Sequence, residues 1–183
     1  MSESSSSLLR SLCGLRWLAV AGQLLALLVA AAMGLALPFA TLAIAIIVLA
    51  LFNLYASWRV RQMRVASERE TFLHILVDVS VLGWLIAFSG GITNPFVSLF
   101  LLPIAFATLA LPLRWVWATA LACVAGYALS AALGPPLPHV HTALGDSFDV
   151  HLWGMAINFL ISTAVVLYFF SRLAKNLRRR DQE

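Results

Sequence analysis

The chain has 183 residues, 62% of them hydrophobic and only 11% charged, with a formal net charge of +4 and a mean hydropathy of +0.93. Soluble domains are roughly a quarter charged, so this composition excludes one. It supplies instead enough apolar sequence for several membrane spans of about 20 residues each.

Taken in order, Met1 to Ser7 is a Ser-rich polar leader, and residues 1–14 are expected to form a mobile cytoplasmic tail. An apolar run over 17–37 follows Arg10 and Arg16. It is longer than the roughly 7–15 residues of a signal-peptide core, and it leads through Pro38 into more apolar sequence rather than a polar mature protein. It is therefore read as a first transmembrane helix, with a second over 38–58. Arg59 to Glu70 is polar, holding Arg59, Arg61, Arg64, Arg69, Glu68 and Glu70. A third span covers 72–88 and a fourth 95–111, the latter about 25 Å long if fully α-helical. Pro112-Leu113-Arg114 turns the chain into a fifth span over 115–133. Gly134 to Val150 is a Pro-rich loop, a sixth span covers 151–170, and residues 172–183 are strongly basic.

Charge placement orients these spans. With six helices, both tails and the second and fourth loops share one side, and all twelve Lys and Arg residues fall there. The positive-inside rule makes that side cytoplasmic, with both termini in it. The basic isoelectric point, near 9.7, is then topological and calls for no nucleic acid. Trp17, Trp58, Trp115 and Trp117 belong to the inner interface, Trp84 and Trp153 to the outer one. The fold class is an all-α integral membrane protein of six helices, with residues 15–171 as its membrane domain. Small residues recur at every fourth position, as Gly22, Ala26, Ala30 and Gly34, and again as Ala118, Ala122, Gly126 and Ser130. Such stripes suit helix–helix packing or a dimer seam, although alanine is frequent enough here to produce them by chance.

Candidate sites are few. Cys13 and Cys123 lie far apart, without a CxxC or Cys/His spacing, and point to neither a disulfide framework nor a zinc site. Asp78 is the one acidic residue within an apolar run, in the cytoplasmic third of its span. His74 lies four residues before it on the same helical face. The two form a candidate proton or polar pair; the plainer reading is an Asp bonded to a neighbouring helix or reached by a loop arginine. Asn53, Asn158 and Gln23 suit interhelical hydrogen bonds. His139, His141, Asp146, Asp149 and His151 are metal-ligand types without a recognised spacing, so no metal is expected, and Asp149 or Ser147 better suits a helix N-cap. No residue pattern for group-transfer catalysis is present, so the chain itself is not read as an enzyme.

The remaining candidate is Gly90-Gly91-Ile92-Thr93-Asn94-Pro95-Phe96, the uncharged link between the third and fourth spans, which the charge count places at the outer boundary. Asn before Pro is a favoured helix start, so a plain turn accounts for these residue types. They also suit a flat ligand bearing a carbonyl. Glycines admit close approach to the backbone, the Asn94 amide can donate, and Phe96 offers a ring face.

Gly-Gly-x-x-Asn-Pro-Phe in this position resembles the quinone-binding heptapeptide of the RegB/PrrB family of redox-responsive sensor histidine kinases. His151-Leu152-Trp153-Gly154-Met155-Ala156-Ile157-Asn158-Phe159 resembles that family's last span, and Arg178-Arg179-Arg180-Asp181-Gln182-Glu183 the start of its signalling helix. The resemblance covers most of the chain and implies a quinone-binding motif at Gly90, Gly91, Asn94, Pro95 and Phe96, with ubiquinone the leading ligand. It further implies a homodimeric sensor domain in a bacterial inner membrane, coupled by the sixth helix to a kinase and its cognate response regulator. The family's phosphoacceptor His, nucleotide-binding domain and redox-active Cys lie beyond the last span, so the chain reads as a piece of a longer protein. A small proton-coupled carrier using His74 and Asp78, or a membrane scaffold, are the alternatives.

Overall fold

A computed structural model describes residues 2–62, 67–134, 154, 157 and 158. Its long helices are α1 (Ser2–Ala32), α2 (Phe39–Gln62), α3 (Glu68–Phe88) and α5 (Leu113–Leu133), with a shorter α4 (Leu101–Ala110) between the last two. Four helices are long and apolar enough to cross a membrane, and Pro95–Ala110 forms a shorter apolar helix. They expose large apolar side chains such as Leu18, Leu28, Leu51, Leu121 and Leu133, as lipid-facing helices do. The protein is an all-helical, multi-pass membrane protein. The sixth expected span lies outside the described residues except at positions 154, 157 and 158.

Several boundaries differ from the sequence expectation, α2 for example running on to Gln62, and three of the differences have a local chemical reason. The first helix runs back through the polar leader to Ser2 and stops at Ala32, not at residue 37. Gly34, at φ 70°, ends it. The Gly34 amide donates to the Ala31 carbonyl and the Leu35 amide to that of Ala30, the paired bonds of a Schellman motif. Gly34 is thus a helix stop and not a member of a packing stripe. Gly22 has nothing within 4 Å of where a Cβ would sit, whereas Ala30 of the same stripe is buried.

The third helix begins at Glu68, four residues before the apolar run. Ser67 Oγ accepts from the Glu70 amide at 3.1 Å. Serine with glutamate three residues later is the spacing of a capping box. From this start Asp78 lies about 15 Å along α3. The fourth segment is not uniformly α-helical: Pro95–Phe100 is a 3-10 helix that passes into α4. Pro103 has no N–H to donate to the carbonyl four residues back, which discourages α-geometry before it. At about 2.0 Å per 3-10 residue the stretch also becomes longer than an α-helix of the same sequence.

The helices α3 and α5 run parallel, side by side. Phe72 stacks on Trp115 with ring centroids 4.7 Å apart. Further along, a Cβ on Gly83 would lie 3.7 Å from the Gly126 carbonyl, so the backbones nearly touch. Phe100, 5% exposed, fills the space beside them, with its ring 3.0 Å from the Cβ position of Gly126. Gly126 in the fifth helix therefore belongs to internal packing, alongside buried Thr119, Cys123 and Ser130. The helix α2 also packs against α3, and α1 packs against α2. At the basic end, Arg114 bonds Glu68 at 2.5 Å and Arg59 bonds Glu70 at 2.7 Å, tying α5 and α2 to the start of α3. At the other end the Trp84 indole N–H donates to the Thr41 carbonyl at 3.3 Å.

Candidate functional site

Two polar constellations are built into this bundle. The first is an ion pair joining three helices. Arg16, expected among the cytoplasmic charges, lies inside α1 with 3% of its surface exposed. Its Nε and Nη2 donate to the two oxygens of Asp78 at 2.6 and 2.7 Å. Nη1 donates to Asn53 Oδ1 at 3.3 Å, and Nη2 also reaches the His74 carbonyl at 3.2 Å. The guanidinium carbon stands 5.0 Å from the centre of the Phe52 ring. Asn53 returns a hydrogen bond from Nδ2 to the Cys13 carbonyl at 3.0 Å. Arg16 on α1, Asn53 on α2 and Asp78 on α3 thus form one network, which answers the cost of charge within the bundle by pairing it.

Of the two readings of Asp78, the pairing with His74 does not form: both carboxylate oxygens go to an arginine on a neighbouring helix, Arg16 of α1 rather than a loop residue. The His74 ring tilts against Phe52 at 5.1 Å, and its buried Nδ1 has no hydrogen-bond partner among the described residues. Residue spacing had shown that the two share a helical face. That Arg16, 62 positions away, would reach Asp78 first depended on how α1 packs.

The second constellation is the turn after α3. A short 3-10 turn, Gly91–Thr93, precedes Asn94 and the 3-10 helix from Pro95. Gly90 and Gly91 adopt φ of 121° and 55°, backbone that side chains disfavour. The space that the missing Gly91 side chain leaves is already taken. A Cβ there would lie 2.9 Å from the Gly134 carbonyl and 3.0 Å from its Cα. The paired glycines therefore dock the turn against the end of α5.

Asn94 is equally committed. Its Oδ1 accepts from the Phe96 amide at 2.8 Å, as an N-cap, and its Nδ2 donates to the Ser89 carbonyl at 3.0 Å and to Ser89 Oγ at 2.6 Å. Both amide hydrogens thus hold the turn closed. Thr93 Oγ1 donates to the Gly90 carbonyl at 2.8 Å. Of the five motif residues, Phe96 and Pro95 retain partly exposed side chains, whereas Asn94 is buried. The residue that sequence reasoning assigned only to helix contacts is Asn158. Its Nδ2 donates to Ser98 Oγ, bringing the sixth segment onto this turn.

The His139, His141, Asp146, Asp149 and His151 cluster, together with Ser147, lies outside the described residues. Among the described residues no group of three or more ligating side chains gathers. Cys13 and Cys123 are both buried and unpaired with each other.

A multi-pass helical bundle, carrying an internal ion pair and a glycine-locked turn at the end opposite its surface arginines, defines a membrane domain rather than a catalytic one. Residues 9–183 match the family model described as the PilS-like transmembrane domain, and the chain belongs to that family. It is also similar to the sensor histidine kinase RegB of Cereibacter sphaeroides, with 36% identity over 107 residues. That match covers 58% of this chain and 23% of RegB, so the chain spans under a quarter of that relative. The likeness expected from the Gly-Gly-x-x-Asn-Pro-Phe stretch therefore extends well beyond the motif. No solved structure matches the chain.

Proposed function

We propose that the chain is the six-span sensor domain of a redox-responsive two-component histidine kinase in a bacterial inner membrane, with both termini cytoplasmic. A quinone, ubiquinone in the first instance, binds at the outer turn between α3 and α4. Its redox state or occupancy biases a homodimeric bundle, and the sixth helix carries that bias to a cytoplasmic kinase and its response regulator. The ligand shifts the signalling equilibrium only by its difference in affinity for the two states.

The observation that carries this reading is the partly exposed Phe96, presented by a turn whose other groups are spent on holding it. Similarity to RegB supports a sensor kinase as the parent protein. The geometry revises the roles within the motif: Gly90, Gly91 and Asn94 shape the turn, while Phe96 and Pro95 supply the ligand surface. A carrier working through Asp78 gains no support, since that carboxylate is neutralised by Arg16.

The test is equilibrium binding of a short-chain ubiquinone to the purified domain in lipid nanodiscs. Phe96→Ala is expected to weaken binding about tenfold, the scale of one aromatic stacking contact. Unchanged affinity in Phe96→Ala would remove the site.

A further inference from the structure

The sixth segment meets the turn at two points one helical turn apart. A Cβ on Gly154 would lie 2.8 Å from Pro95 Cγ, so only glycine lets the segment sit this close. Four residues on, and hence on the same helical face, Asn158 donates from Nδ2 to Ser98 Oγ. Asn158 is 6% exposed, and its Oδ1 is buried with no hydrogen-bond partner among the described residues. A buried carbonyl oxygen without a donor is costly, more so where lipid rather than water surrounds the bundle.

We propose that the Asn158 carboxamide is the polar end of the ligand site, with its free Oδ1 accepting a hydrogen bond from a ring hydroxyl of a quinol. The inference rests on the quinone reading above and adds to it a second contact, on a different segment from Phe96. Asn94 cannot serve as this polar end, because both of its amide hydrogens bond Ser89. Asn158 has the free capacity that Asn94 lacks, and Gly154 of the same segment touches Pro95, one of the two motif residues whose side chains remain partly exposed. The chemistry also sets a preference. Nδ2 gives one of its two hydrogens to Ser98, and Oδ1 is the atom left wholly unpaired. A quinol hydroxyl satisfies Oδ1, whereas a quinone carbonyl can meet only the second Nδ2 hydrogen and leaves Oδ1 unpaired. The reduced ligand is therefore the one that satisfies the buried oxygen while bridging the fourth and sixth segments.

The experiment measures the affinity of the purified domain in nanodiscs for decyl-ubiquinol under anaerobic reductant, and separately for decyl-ubiquinone. Asn158→Leu is expected to weaken quinol binding about tenfold, the scale of one hydrogen bond, with a smaller loss for the quinone. Ser98→Ala changes no residue of the sixth segment and leaves both Nδ2 hydrogens free to donate to a carbonyl, so it is expected to reduce the preference for quinol over quinone. It also decides the question if Asn158→Leu fails to fold. An unchanged quinol affinity in a folded Asn158→Leu, an equal loss for both redox forms, or an unaltered preference in Ser98→Ala overturns the assignment. If Phe96→Ala still weakens binding in that event, the quinone site stands without Asn158. If Phe96→Ala is silent too, the underlying reading has failed.

Discussion

Arg16 carries a full charge almost wholly withdrawn from the surface, and its tolerance depends on Asp78, Asn53 and the His74 carbonyl together. Breaking a buried pair from one side strands the other charge, which typically costs about 3–5 kcal/mol, whereas an apolar replacement of both partners is often neutral. Asp78→Asn is accordingly expected to lower thermal stability sharply in detergent, and Arg16→Leu/Asp78→Leu to recover much of it. A double variant no more stable than the singles would mean that the pair is not the element holding α1. The same scale governs Gly91, where left-handed backbone and the contact with Gly134 coincide. Gly91→Ala should lose more than about 1 kcal/mol, the cost of the backbone conformation alone. Thermal unfolding would show this loss.

At the level of the elements, the early start of α3 rests on Ser67, whose Oγ accepts from the Glu70 amide. Replacing such a cap by alanine costs about 1 kcal/mol. Ser67→Ala is expected to fray the first turn, seen as faster amide exchange at residues 68–71 and unchanged exchange near Asp78. The close parallel contact of α3 with α5 makes a sharper demand. Phe100 already stands 3.0 Å from the Cβ position of Gly126, so Gly126→Val must push the ring or the helix aside. Overpacking of this kind costs about 1–3 kcal/mol. Since the same helix ends at Gly134 against the turn, quinone affinity should fall along with the melting temperature. A normal melting temperature in Gly126→Val would show that Phe100 moves freely.

For the whole molecule, the charge distribution sets an orientation that labelling can read. Thr93 is exposed in the turn, whereas Cys13 and Cys123 are buried. In intact cells, Thr93→Cys is expected to react with a membrane-impermeant maleimide added outside, against a silent background from the two native thiols. Labelling that appears only after permeabilisation would invert the proposed topology. Arg16 does not disturb the argument from charge: it belongs to the ion pair, and the remaining basic residues still lie on one side of the expected topology.

Much of this architecture is legible in the residues alone. Apolar run length marks the helices because lipid leaves backbone polar groups no partner but one another. The turn at Gly90 to Phe96 is equally plain, because Gly-Gly and Asn-Pro are local backbone chemistry. Even so, Gly34 as a helix stop and Ser67 as a cap were written in the sequence and were hidden by reading hydropathy first. What the tertiary structure alone decided is which polar groups are already satisfied. Asp78 is held by a residue 62 positions away, and the space beside Gly91 is filled by Gly134. Asn94 is spent within its own turn, and Asn158 is left with a free acceptor. Hydrogen bonds and ion pairs saturate, so the chemistry left over for a ligand depends on which partners packing has already supplied.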